Sequence, residues 1–450
     1  MRSHKPSSKR RLSIVATTCL FATSLPTATS ASAAITINSD PILFWNDLAI
    51  SLVTTGPAPV QAYTFAMANI AMHDAVNATL GGFNKSHLSG VTSVGGDSRA
   101  AAARAAHDVL VARNGANAGA YATALANSLA LIPDGAAKTN GIATGAAYAT
   151  AMIANRVGDG SAVVSTYTTT GLPGDYRLTP GVAAAAVPAW GNVRPFVLSS
   201  VNDVPVGPPP ALGSAEYAAA YNEVKEIGAL NSLTRTLDQK NSALFWDVSN
   251  GGTWIRVGLT IAEDEGLSTL GLASVFSLLS TGLADSAIAV WDAKYDYRLW
   301  RPITAIQLGD TDGNALTEKD AGWNSLFNAP GHPSYISAHS ALSSVGSTIL
   351  QSFFGDDEAF SFNIGPDSRS FTGLAQAELD AANSRLWGGI HFRFDNDAGL
   401  ALGRQVGNRA LRAGAFAPVP EPSSWAMMIA GFAVTGLSLR GRTKRVAHAA

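Results

Sequence analysis

Ala-rich stretches at 61–78, 98–132, 136–157, 214–230, 259–292, 338–354, 372–386 and 396–412 repeat their apolar positions at three- and four-residue intervals. That is the period of a helix with a buried face. Val, Ile and Tyr nowhere build the run of alternating positions that a sheet protein needs. The pattern predicts an all-α protein, a large helical bundle. Between about 158 and 213 the helical period fails, and the stretch is rich in Gly, Pro, Thr and Val. Ordered connections of this length are often functional. We expect it to wrap the bundle and shape the channel to a site, with a purely structural belt as the plainer reading. There is no tandem repeat and no zinc, P-loop or Ser-triad pattern.

Both ends depart from this scheme. The basic start MRSHKPSSKRR is followed by an apolar run at 12–26 and by Ala31-Ser32-Ala33-Ala34. This reads as a secretory signal peptide over 1–34 with an A-x-A cleavage site. The one cysteine, Cys19, lies inside it, so the exported chain would have no disulfide and no oxidisable thiol. At the other end, Val419-Pro420-Glu421-Pro422 precedes an apolar run at 425–439 and a basic tail at 440–445. The segment 418–450 resembles the PEP-CTERM sorting signal of Gram-negative bacteria. That implies an exosortase-type processing enzyme, temporary membrane association through a short transmembrane helix, and a destination outside the cell or on its surface. The apolar run is short for a full span, and its basic end suits a cytoplasmic stop.

The region 35–417 then forms one domain large enough for a substantial core. The net charge of −2 conceals an asymmetry, because the start holds five cations without an acid and the tail holds Arg440, Arg442, Lys444 and Arg445. Without these nine charges the chain is near −11, which gives no general affinity for nucleic acid.

Candidate chemistry lies in three segments: 294–302 (KYDYRLWRP), 333–340 (PSYISAHS) and 384–391 (SRLWGGIH). Lys294 and Arg301 are two helical turns apart and would share a helix face, with Trp291 on the same stripe. Pro302 would leave Arg301 near that helix's C-terminal end. Ser337 precedes a helical pattern and reads as its N-cap, so the N–H groups of Ala338 and His339 would face an anion. Arg385 and His391 would diverge on an unbroken helix, but Gly388-Gly389 permits the turn that brings both to one place. Two guanidinium forks and an ammonium neutralise a dianion, leaving two imidazoles to bond it and to move protons. The set suits a tetrahedral oxyanion such as phosphate or vanadate.

Apart from Ala338, the chain resembles the signature Lys-x6-Arg-Pro, then Pro-Ser-x-x-Ser-Gly-His, then Ser-Arg-x5-His, shared by vanadium-dependent haloperoxidases and the type 2 phosphatidic acid phosphatase superfamily. Segments 44–77 and 245–260 resemble the secreted bacterial haloperoxidase branch, so the likeness spans about residues 40–415. It implies a helical fold, vanadate as cofactor, and hydrogen peroxide, a halide and an organic acceptor as partners. It assigns Lys294, Arg301, Arg385, Ser337 and the Ala338 N–H to the oxyanion's non-apical oxygens, with Lys294 also polarising bound peroxide. His391 becomes the axial metal ligand, or the nucleophile in a phosphatase, and His339 the acid–base residue opposite. Trp291 falls beside the oxyanion, and Asp247 becomes the carboxylate that orients Arg385. His332 stands where bromoperoxidases carry His and some chloroperoxidases Phe, which points toward bromide. One departure is Ala338, where the family carries Gly; its methyl would crowd the oxyanion if the backbone there required φ > 0.

Plainer assignments compete at each position. Lys294 and Arg298 could pair with Asp292 and Asp296 along a helix surface, Arg385 with Asp380, and His339 could be an ordinary hydrogen-bonded side chain. His73 and His107 read as structural, and Trp300 and Trp387 as core. For the whole chain, a vanadate-dependent haloperoxidase leads, an acid phosphatase with a His391 nucleophile follows, and an inactive exported surface protein is third. The two end signals predict a mature chain from about Ile35 to about Pro422. Intact-mass spectrometry of protein from its native host should find that fragment, and retention of Met1 or Arg445 in most molecules would refute it.

Overall fold

The computed structural model describes residues 35–413 apart from 82–85, 248–250, 264, 358, 365 and 366. The expected signal peptide and sorting segment lie outside the described residues. Helices are α1 (Pro41–Leu52), α2 (Ala58–Thr79), α3 (Ser98–Arg113), α4 (Ala118–Ala130), α5 (Ala136–Asn155), α6 (Ala215–Ile227) and α7 (Leu237–Asp247). Then come α8 (Thr253–Ala262), α9 (Thr269–Tyr297), α10 (Pro302–Gln307), α11 (Ala338–Phe354), α12 (Leu374–Trp387) and α13 (Arg393–Arg412). An antiparallel hairpin, β1 (Phe360–Ile364) and β2 (Asp367–Phe371), separates α11 from α12. The protein is all-α, as its apolar period predicts.

The longest helix forms the axis. α9 is apolar and long enough to cross a membrane, but its most apolar window is wholly buried inside the bundle. A helix apolar all round is a core helix when others surround it, and α2, α11 and α13 pack against α9 here.

Two expected helices are each split in two. The stretch 98–132 breaks at Asn114, where the backbone leaves the helical region (φ −136°, ψ 54°) and the side-chain amide donates to Leu52 O and to the Tyr121 hydroxyl. The stretch 259–292 breaks at Gly266, which has φ +61°, and restarts at Ser268, whose hydroxyl accepts the Gly271 N–H. Among the elements the period misses, the hairpin is too short to show a strand pattern.

α11 packs closely against α13. Gly399, Gly403 and Gly407, spaced by four, form a bare stripe on α13. A Cβ at Gly399 would lie 2.5 Å from Ser337 O, and one at Gly403 would lie 2.3 Å from Ala341 O. The stripe therefore fixes how closely the start of α11 approaches the start of α13, where the candidate residues gather.

Residues between α5 and α6 form an irregular belt with short 3-10 turns at Trp190–Asn192 and Val201–Asp203. Asp285, buried in mid-α9, accepts the N–H groups of Phe196, Val197 and Leu198 at 2.6–2.8 Å. Further along α9, Trp291 and Tyr295 both donate to Ala186 O. The belt is thus bonded to the helix that carries Lys294.

In an exposed helix, Gly→Ala would stabilise slightly. Here Gly403→Ala should destabilise by about 1–3 kcal/mol, because the methyl meets backbone rather than a yielding side chain. Urea unfolding measures this, and an unchanged or raised midpoint would contradict the packing account.

Candidate functional site

Lys294 and Arg301 converge by a turn rather than by a shared helix face. α9 ends at Tyr297, and Arg298 follows in the left-handed region at φ 55°. Its guanidinium is held by Thr168 O and Asp175, and the chain at 298–300 is bonded to Gly174 and Tyr176 of the belt. Arg301 then stands at the N-cap position of α10, with Pro302 in the first turn. The expected position near a helix C-terminus is thus replaced by one at a helix start, because proline suits a first turn.

Lys294 and Arg301 are 0% exposed and Arg385 is 1% exposed. Lys294 Nζ donates to Pro333 O at 2.7 Å and Ser334 O at 2.9 Å. Arg301 donates to His332 O, Ile390 O, His332 Nδ1 and His391 Nε2 at 2.7–3.0 Å. Arg385 donates to Ser384 Oγ and His339 Nε2, and its guanidinium lies 5.1 Å from the Phe327 ring centroid.

Among the described residues none of the three forms an ion pair with a carboxylate. Asp292 and Asp296 do not pair with Lys294, Arg298 pairs with Asp175, and Asp380 pairs with Arg369. Burial pushes both arginines down to about 10. It also pushes Lys294 well below the ordinary lysine value, helped by Arg301 and opposed by Asp395. An oxyanion among these donors would reverse that shift.

The neighbours of His391 fix its tautomer. Arg301 has only donors, so His391 Nε2 accepts, and Nδ1 must carry the proton it gives to Asp395 Oδ2 at 2.9 Å. Burial and the surrounding cations hold this imidazole neutral, well below its ordinary pKa. Asp395 also accepts from Ser334 Oγ and the Phe392 N–H, while its own carbonyl accepts the Ser337 N–H. Burial raises its carboxyl to about 6. The sequence reading missed Asp395, although its spacing of four from His391 was the available signal.

The expected turn is present: Gly388 caps α12, and Gly389 has φ +76°. A Cβ on Gly389 would lie 2.3 Å from Gly228 O, so only glycine fits. Arg235, also missed, donates to Ile227 O, Ala229 O and Trp387 O at 2.9–3.1 Å. It satisfies carbonyls at the ends of α6 and α12 and braces the turn between Arg385 and His391. No motif in its sequence neighbourhood marks it.

Ser337 is the N-cap of α11, and Ala338 enters the helix with no positive φ, which removes the backbone objection to its methyl. His339 Nε2 lies 3.1 Å from Arg385 Nη1 and 3.3 Å from Trp246 O. A neutral acceptor nitrogen suits the first contact and an N–H the second, so the two partners are alternatives. Burial and Arg385 depress the His339 pKa.

Asp247 ends α7 and makes no hydrogen bond to Arg385 among the described residues; its charge alone reaches that guanidinium. His332 takes an N–H from Arg301 on Nδ1, leaving its proton on Nε2, and its ring lies 4.9 Å from that of Trp291. A cavity of about 60 Å³ opens beside these residues, lined by Trp246, Trp254, Trp291, His332, Ala338 and His339. It has room for a few water-sized molecules. Away from it, His73 pairs with Asp74 and His107 with Asp108. Trp300 is buried core and Trp387 is half-buried.

Residues 274–415, which contain all three segments, match the family described as the VCPO second helical-bundle domain. In structure the chain is similar to a bacterial vanadium-dependent iodoperoxidase, with 25% identity, 85% of this chain and 98% of that one covered, and a TM-score of 0.72. It is also similar in fold to holo-type and apo-type structures of bacterial vanadium-dependent chloroperoxidase. The holo-type match has 18% identity, coverage of 81% and 93%, and a TM-score of 0.66. The apo-type match has 16% identity, coverage of 80% and 94%, and a TM-score of 0.63. No curated protein sequence matches at a significant level.

If Asp395 fixes the His391 tautomer, Asp395→Ala should weaken binding of an oxyanion probe, orthovanadate, by about ten- to a hundredfold, the usual cost of losing such a support. Titration calorimetry with circular dichroism as the folding control measures this, and unchanged affinity would remove Asp395 from the site.

Proposed function

We propose that this protein is a vanadate-dependent haloperoxidase, oxidising a halide with hydrogen peroxide to a hypohalous species. The observation that carries the reading is three buried cations that form no ion pair with a carboxylate among the described residues, gathered around a neutral imidazole and a helix N-terminus. Three buried cations with only Asp395 and Asp247 acting on them from nearby are incompletely compensated, which is costly inside a protein and fits a multiply charged anion. The donor set matches vanadate: Lys294, Arg301, Arg385 and Ser337 for its oxygens, and the Nε2 lone pair of His391 for the metal. When bound, vanadate supplies a Lewis-acid centre that activates peroxide toward halide without changing its own oxidation state.

The protein's part is binding, orientation and proton handling. Asp395 holds the His391 proton on Nδ1 and so keeps Nε2 directed inward. His339 carries protons, exchanging Arg385 for Trp246 O as the partner of its Nε2 when that nitrogen gains one. The indole walls of Trp246, Trp254 and Trp291 keep the approach apolar, which suits a weakly hydrated halide. We take bromide as the favoured halide, on the placement of His332 at that wall. The end signals further support export and exosortase-type processing. The same pocket would accept phosphate, with His391 as nucleophile, but the indole-lined cavity and the likeness to an iodoperoxidase favour peroxide chemistry.

His391→Ala should abolish vanadate-dependent bromide oxidation with the circular dichroism spectrum retained; wild-type turnover would show the ligand is misplaced. Phosphate should compete with vanadate during reconstitution. If excess phosphate leaves vanadate uptake unchanged, the two ions do not share a site and the reading fails.

A further inference from the structure

Ser337, Ser340 and Asn396 form a line of buried polar side chains leading to the oxyanion site. The two serines are fully buried and Asn396 is 2% exposed. Ser340 Oγ lies 2.9 Å from Ser337 Oγ and 3.2 Å from the Asn396 amide oxygen. A hydroxyl has one proton to give, so Ser340 can donate to only one of them at full strength.

The choice reaches the site. If Ser340 donates to Asn396, its contact with Ser337 requires Ser337 to be the donor, and the single Ser337 proton points away from the oxyanion. If Ser340 donates to Ser337, that proton is released for the oxyanion. Asn396 decides between the two. With its oxygen toward Ser340, its Nδ2 group is buried without a hydrogen-bond partner. Half a turn about its terminal torsion, a broad two-fold rotor, sets an N–H against Ser340 Oγ. The atom then left over is an acceptor, which proteins leave unpaired more readily than a donor.

The geometry points to Asn396 as a positioning residue: its amide donates to Ser340, Ser340 to Ser337, and Ser337 to the bound oxyanion. The chain runs one way, so the proton at its end is presented to an acceptor before the ion arrives. This inference rests on the oxyanion reading of the site, and it adds Asn396 and Ser340, neither of which touches the ion.

The test is a double-mutant cycle on orthovanadate affinity, with inorganic phosphate as a second probe, measured by calorimetry on the purified protein. Ser337→Ala should weaken binding roughly tenfold, the worth of one hydrogen bond to a charged acceptor. Asn396→Leu, close in size, should weaken it several-fold. The double variant should bind no worse than Ser337→Ala alone, because the relay has no end to act on. Should Asn396→Leu fail to fold, Ser340→Ala breaks the same relay one link later and should show the same lack of additivity. A merely structural role would lower stability and leave the two effects additive. Additive losses, or Asn396→Leu and Ser340→Ala proteins with wild-type affinity, overturn the relay while the oxyanion site stands. A wild-type protein that binds neither ion overturns the site reading itself.

Discussion

Positive charge buried without a carboxylate ion pair among the described residues is the constraint on which the rest of this structure depends. Lys294, Arg301 and Arg385 sit in the interior, where an ion without compensation is costly. The fold answers with backbone carbonyls: those at 332, 333, 334 and 390 take N–H groups from Lys294 and Arg301. Carbonyls can do this only where chain leaves helix, since inside a helix they are already used. The site therefore has to stand where several helices begin or end together. α9, α10, α11, α12 and α13 do so here.

That requirement explains features far from any charge. The glycine stripe on α13 lets α11 close to backbone contact, so that the Ser337 N–H reaches Asp395 O. Asp395 thereby joins both halves of the site, its main chain holding the α11 cap and its side chain holding the His391 imidazole. Gly389 against Gly228, with Arg235 bonded across the neighbouring carbonyls, fixes the turn that separates Arg385 from His391. The belt performs a similar task on the other side, where its bonds to Arg298 hold the bend between Lys294 and Arg301.

Electrostatics then follow from placement. Burial, and after it the cations that attract an oxyanion, keeps the nearby imidazoles from protonating, so His391 retains its lone pair where an exposed histidine would begin to lose it. Each of these three histidines meets an arginine N–H, and that contact sets which ring nitrogen keeps its lone pair. Charge thus does two jobs in the site, holding the ligand and assigning the tautomers.

The sequence by itself determined the fold class, most helix positions, the irregular belt and the identity of the cationic and imidazole residues. Each of these is written in period or local spacing: apolar repeats for helices, Ser337 before a helical run, two glycines between Arg385 and His391. Only the tertiary structure decided how these residues meet. Lys294 and Arg301 look like one helical face in the sequence, yet a left-handed residue and a new helix start bring them together. Asp247 looked like the partner of Arg385, but Ser384 and His339 are its bonded neighbours. Asp395, Asn396 and Arg235 carry no signature beyond a spacing or none at all, because their roles arise from contacts with residues 56 to 152 positions away as well as with near neighbours. Period and spacing encode what a chain does locally; the partner of a buried polar group is chosen by packing.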